Sequence, residues 1–131
     1  MFSSKNNSKE MKAFIGKDCK FEGKFIFKGS VKIDGIFEGD ILGKEGTLIV
    51  GETSEITGTI DVEALINKGK IQGNVRAQKI ENFSPGKIIG TIEVNSLFVQ
   101  NGAIIDGECR MLKNENIQEN DKIKKLEITG E

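Results

Sequence analysis

Residues 56–60 read ITGTI, and residues 88–92, thirty-two positions further on, read IIGTI. Written as apolar-x-Gly-x-apolar, the phrase returns as FEGKF (21–25), FEGDI (37–41), IQGNV (71–75) and IDGEC (105–109), the last with Cys109 in the apolar slot. The six central glycines, Gly23, Gly39, Gly58, Gly73, Gly90 and Gly107, are 16, 19, 15, 17 and 17 residues apart. Between copies lies a second apolar pair or run: Val31 and Ile33, Leu48 to Val50, Leu65 and Ile66, Ile80, then Leu97 to Val99. Turn residues follow most of these runs, in VGETSE, NKGK, NFSPGK and VQNGA.

No single repeat can bury its own apolar residues, but stacked repeats can, and self-similarity at a regular period marks such architectures. A helical solenoid needs ~30–45 residues per repeat and a 3.6-residue periodicity, and neither is present. A coil of roughly 17 residues predicts a parallel β-helix with three short faces, each coil ~4.8 Å above the last and the whole rod ~30 Å tall. Alternation then sorts the side chains: in FEGDI, Phe37 and Ile41 point inward while Glu38 and Asp40 meet water. The glycine between them either saves space or supplies a corner at positive φ; the sequence leaves both open. A β-sandwich with glycine-bearing strands is the competing architecture, and six copies in near-register argue against it.

The composition agrees with strands. Isoleucine occurs 19 times against six leucines, and a β-branched excess of this kind favours extended structure. With one proline and 16 glycines, glycine does the turning. The 19 basic and 20 acidic side chains leave a net charge of -1, without the basic excess of a nucleic-acid binder. Cys19 and Cys109 are too far apart in the chain to read as a disulfide framework, so a reduced cytosolic setting is expected. The opening MFSSKNNSKEMK has no apolar run of a secretory signal, Phe2 argues against N-myristoylation, and no stretch approaches a spanning helix. Residues 1–12 are a polar tail, 13–112 the β-helix domain, and 113–131 a highly charged tail; both tails are expected to be disordered, the alternative for the second being a cap on the last coil through KLEIT, for which the pattern is weak.

Catalytic chemistry is hard to place on this chain. There is no histidine, which counts against a hexapeptide-repeat acyltransferase, the enzymatic reading that a short-coil β-helix invites. Spacings of 15 to 19 also break that family's strict period of six. GKEGTLIVG lacks the Gly-Lys-Ser/Thr of a phosphate loop. Glu38 and Asp40 read as a solvated face, Ser84 has no base beside it, and Pro85 is a turn residue. The expectation is a protein that is not an enzyme, with no metal site and no cofactor.

Five phrases in order carry a resemblance: FIGKDCKFEGKF (14–25), GSVKIDGIFEGDI (29–41), TLIVGETSEITGTI (47–60), GNVRAQKI (73–80) and GAIIDGECRM (102–111). Over about residues 13–112 the chain resembles the bactofilins, bacterial polymer-forming cytoskeletal proteins. The resemblance implies a right-handed triangular β-helix that assembles end to end into filaments without nucleotide. It also implies attachment to the inner face of the cytoplasmic membrane through a short N-terminal peptide, and a scaffolding role for cell-wall enzymes or shape proteins. The chain departs from the pattern in its long coil at LGKEG and in having Ile105 where Phe is expected.

Physical reasoning reaches polymerisation independently. Each end of a β-helix exposes unpaired backbone groups and an apolar cross-section, and most solenoids cap them. Here the N-terminal coil offers Phe14, Ile15, Phe21 and Phe25, the C-terminal coil offers Ile104, Ile105, Cys109 and Met111, and neither tail reads as an evident cap. Stacking between molecules would continue the ladder. Joining like ends gives two-fold contacts and a filament without polarity, which the resemblance favours; head-to-tail joining would instead set Cys109 against Cys19.

The resemblance makes MFSSK a membrane-targeting peptide, with Met1 and Phe2 at the lipid interface and Lys5 and Lys9 facing anionic headgroups. One buried Phe is worth only ~2–3 kcal/mol and each Lys ~1 kcal/mol, so attachment would depend on repetition along a filament. The alternative to a filament is a monomeric β-helical adaptor that presents its flat faces to partner proteins.

Overall fold

Each repeat glycine lies beside the next in register, giving one ladder from Gly23 through Gly39, Gly58, Gly73 and Gly90 to Gly107. The computed structural model describes residues 11–112 and 123–129, with side chains from residue 13 to 112. The strands are β1 (Met11–Ile15), β2 (Lys20–Ile26), β3 (Gly29–Ile33), β4 (Ile36–Val50), β5 (Glu55–Asn67), β6 (Lys70–Asn82), β7 (Lys87–Val99), β8 (Ile104–Met111) and β9 (Ile123–Thr129). They form an all-β parallel solenoid of about six turns, as the glycine spacing predicts. The long strands pair along two successive faces of the coil, β4 with β5, β5 with β6 and β6 with β7.

The core is a set of columns running along the rod. Phe21, Phe37, Ile56, Ile71, Ile88 and Ile105 form one, and Phe25, Ile41, Ile60, Val75, Ile92 and Cys109 a second, one on each side of the glycine ladder. A third runs from Val31 through Leu48, Leu65 and Ile80 to Leu97. The interior aliphatic residues are essentially inaccessible to water, and each contributes ~1.5–3 kcal/mol by leaving it. This repetitive burial, rather than any one contact, holds the coils together.

Both roles considered for the repeat glycine apply together. Gly58 has φ +138°, which side-chain-bearing residues rarely adopt, and a Cβ there would overlap the carbonyl oxygen of Gly39. The long LGKEG coil is absorbed by a register shift between Gly43 and Thr47. A Cβ at Gly43 or Gly46 would overlap the ring of Phe27, so the two glycines make room for it.

One column breaks the apolar rule. Ile15, Ile33, Val50 and Val99 share it with Asn67 and Asn82, and both asparagines are fully buried. Asn67 Nδ2 donates to Gly69 O at 3.0 Å and to Asn82 Oδ1 at 2.9 Å, while Gly69 N donates to Asn67 Oδ1 at 3.0 Å. Asn82 Nδ2 donates to Ile104 O at 3.0 Å. The pair is satisfied as burial requires, and it ties together the turn backbone of successive coils.

Within the stretch read as a charged tail, residues 123–129 form β9 along the outer side of β8. This pairing is antiparallel, whereas every other strand pair among the described residues is parallel.

Candidate functional site

The lateral faces carry charge in solvated pairs. Asp61, Arg76, Glu93 and Arg110 follow one another in register, and Glu93 lies 3.6 Å from Arg76 and 3.8 Å from Arg110. Lys20 lies 3.1 Å from Glu22 and 3.9 Å from Glu38. The hydrogen bond to Glu22, then the charge of Glu38, raise the lysine above its ordinary range. Among the described residues no group of three or more Cys, Asp or Glu side chains gathers into a metal-binding cluster. The features that call for a partner are at the ends.

At the N-terminal end, β1 pairs only with β3 and β2 only with β4, so among the described residues both have an unoccupied outer edge. Ile15, Phe21 and Phe25 begin core columns and are half-buried. The Phe21 ring stacks on Phe37, and Phe25 stacks on Phe27 with centroids 5.7 Å apart. Phe14 is placed differently: it lies opposite Lys32 in an outward-facing column and is 60% exposed. The structure adds Ile26, 66% exposed, and half-buried Phe27 to this end. Their signal is the run FIF at 25–27, where a second apolar pair follows directly on the repeat.

The C-terminal end is asymmetric with this one. Ile105 and Cys109 terminate the columns that Phe21 and Phe25 begin, yet they are 0% and 3% exposed. The element on the outer side of β8 is β9, which pairs with residues 104 to 110. Ile104 follows Lys87 in an outward-facing column and Met111 follows Val94 at the core; both are half-buried. The Cys109 thiol contacts the Met111 sulfur at 4.0 Å. The last part of β7, around Leu97 and Val99, has no strand beyond it among the described residues, and both side chains are half-buried. This end is closed on the β8 face and open on the next.

Cys19 is exposed in the first turn and Cys109 buried in the last coil, at opposite ends of the rod. Met1, Phe2, Lys5 and Lys9, the expected membrane contacts, lie outside the described residues. Among the described residues no helix is long and apolar enough to cross a membrane.

No curated protein and no solved structure matches the chain. The family model for bactofilin, described as polymer-forming cytoskeletal, matches residues 13–110. That match covers nearly the whole solenoid, and on it the chain belongs to the bactofilin family.

Proposed function

We propose that this polymer-forming protein assembles end to end by coil stacking, without nucleotide, into non-polar filaments one rod wide. The observation that carries this reading is the first coil: two core columns end there in half-buried Phe21 and Phe25 beneath ladder edges that are unoccupied among the described residues. Open edges of this kind recruit another strand unless they are blunted. A second copy's first coil, related by a two-fold axis, presents the same aromatic surface and the same unpaired backbone. The filaments lie on the inner face of the cytoplasmic membrane, held by the N-terminal peptide, and organise cell-wall enzymes or shape proteins.

Negative-stain electron microscopy of the full chain in nucleotide-free buffer, over a wide concentration range and at low and moderate salt, tests the assembly. Filaments one rod wide are expected at both salts at high concentration. A monomer at every concentration overturns the filament and leaves the monomeric adaptor in its place. Flotation with anionic liposomes tests the attachment: Phe2→Ala should release the filaments from lipid without dismantling them, and unchanged flotation counts against the membrane role of Phe2.

A further inference from the structure

Resting on the end-to-end reading, we infer that β9 is an internal stand-in for the β8 strand of a second copy, and that it closes the C-terminal end until it is displaced. Three observations converge. The same two core columns are half-open where they begin, at Phe21 and Phe25, and sealed where they end, at Ile105 and Cys109. What lies along the outer side of the sealed coil is β9, in register with β8 from Ile104 to Arg110. Finally, β9 runs antiparallel in a fold whose other described pairs are parallel.

The direction identifies what β9 replaces. A head-to-tail neighbour would continue the solenoid and lay a parallel strand against β8. A two-fold axis normal to this face instead places a second β8 antiparallel to the first, with the same side turned inward. β9 has the orientation of that second β8. It therefore satisfies the backbone groups that a like-end junction would satisfy, and both cannot hold the edge together.

The competition favours β9 at low concentration. Ten residues, 113–122, connect the last coil to β9, and a tether this short sustains pairing at an effective concentration of order mM. A second copy at ~1 µM is then about a thousandfold more dilute than β9. An incoming copy still has a foothold, because the β7 edge at Leu97 and Val99 is uncovered among the described residues and Phe98 beside it is 51% exposed. Docking there first and then peeling β9 away is the route to a C-terminal junction. The N-terminal end has no such closure among the described residues, so N-terminal dimers form first and filaments follow when β9 yields.

The test uses the full chain with Leu126→Pro and Glu127→Pro together. Adjacent strand residues direct their N–H groups to opposite edges, so one of the two prolines removes a bond to β8 whatever the phase. A second full-length variant, Lys124→Pro with Lys125→Pro, applies the same logic elsewhere in β9, and neither touches residues 11–112. Sedimentation and negative stain across a concentration series read the onset of filaments. If β9 is closed in at least nine molecules of ten, releasing it lowers the onset by about tenfold or more. Hydrogen exchange should show residues 104–111 less protected in the unassembled variants, and a peptide of residues 121–131 added in trans should push the onset back up. Filaments of both wild type and variants at the same onset overturn the cap and leave the end-to-end reading standing. A higher onset in the variants also overturns it, since β9 would then be part of the junction. No filaments from any of the three chains overturns both readings.

Discussion

The ring of Phe21 stacks on that of Phe37 with centroids 5.0 Å apart and planes 8° from parallel. Phe37 is fully buried while Phe21, one coil nearer the N-terminal end, is half-buried, so the stack runs from the core to the surface of the rod's end. Under the proposed function, a second copy extends the same stack. Phe21→Ala removes the inner and outer contacts together. Part of the core column opens to water, at a cost of ~2–3 kcal/mol for a half-buried aromatic ring. The solenoid should retain a cooperative thermal transition at a lower temperature, while light scattering shows N-terminal pairing lost. Wild-type assembly from Phe21→Ala would move the junction away from this coil.

Gly58 and Gly23 occupy the same column with similar backbone angles, φ +138° and +134°, but different surroundings. At Gly58 an added methyl overlaps the Gly39 carbonyl; at Gly23, among the described residues, it meets no backbone, only the Phe21 ring edge at 3.8 Å. Gly58→Ala should therefore cost at least ~3 kcal/mol, strain and overlap combined, and be visible as a large drop in urea midpoint. Gly23→Ala carries the strain alone, ~1–3 kcal/mol. Its methyl occupies the side of the first coil where another coil would stack, so filament formation should fail while the fold survives. Equal losses of stability in the two variants would count against the contrast.

The columns were legible because a solenoid writes each coil in the same places: Phe37, Ile41, Gly39 and their counterparts could be assigned to inside or ladder from alternation alone. The ends were legible only in part. Phe14 sits next to Ile15 in sequence and is equally apolar, yet strand alternation turns it outward, and β1 is too short for its phase to be read without the register against β3. The buried Asn67 and Asn82 look polar and therefore external in a linear reading; what places them inside is the turn backbone they bond. For β9 the sequence offers KLEIT only as a weak candidate cap, for a related reason. IKKLEIT alternates weakly, and its pairing is with a strand whose outer edge exists only because the solenoid stops there.

Asn67 supports a third prediction because its column holds valine at positions 50 and 99. Matching those neighbours with Asn67→Val fits the column's apolar pattern but leaves the Gly69 N–H and one acceptor on Asn82 without their partner. An unsatisfied buried group costs ~1–3 kcal/mol, so the variant should lose ~2–4 kcal/mol in urea denaturation despite its greater hydrophobicity. A stabilised Asn67→Val would mean that water or backbone movement replaces these bonds.

The two cysteines give filament polarity a chemical readout. Cys19 is exposed in the first turn, where its carbonyl accepts from Ile36 N at 3.0 Å, and Cys109 is buried in the last coil beside β9. Joining like ends brings Cys19 toward Cys19 of a second copy at one junction and Cys109 toward Cys109 at the other. Thiol-specific bifunctional reagents of increasing length, applied to filaments, should then trap Cys19 pairs, and denaturing gels should show dimers. With Cys109→Ser the dimer should persist, because the link does not use that residue, and with Cys19→Ser it should weaken or vanish. Head-to-tail joining predicts the reverse pattern: Cys19 couples to Cys109, each subunit is linked at both ends, the gel shows a ladder beyond the dimer, and either substitution abolishes it. Loss of every cross-linked species with Cys109→Ser, the dimer included, would overturn the non-polar arrangement, and with it the reason for reading an antiparallel β9 as the substitute for a second β8; a ladder that collapses to a dimer would not.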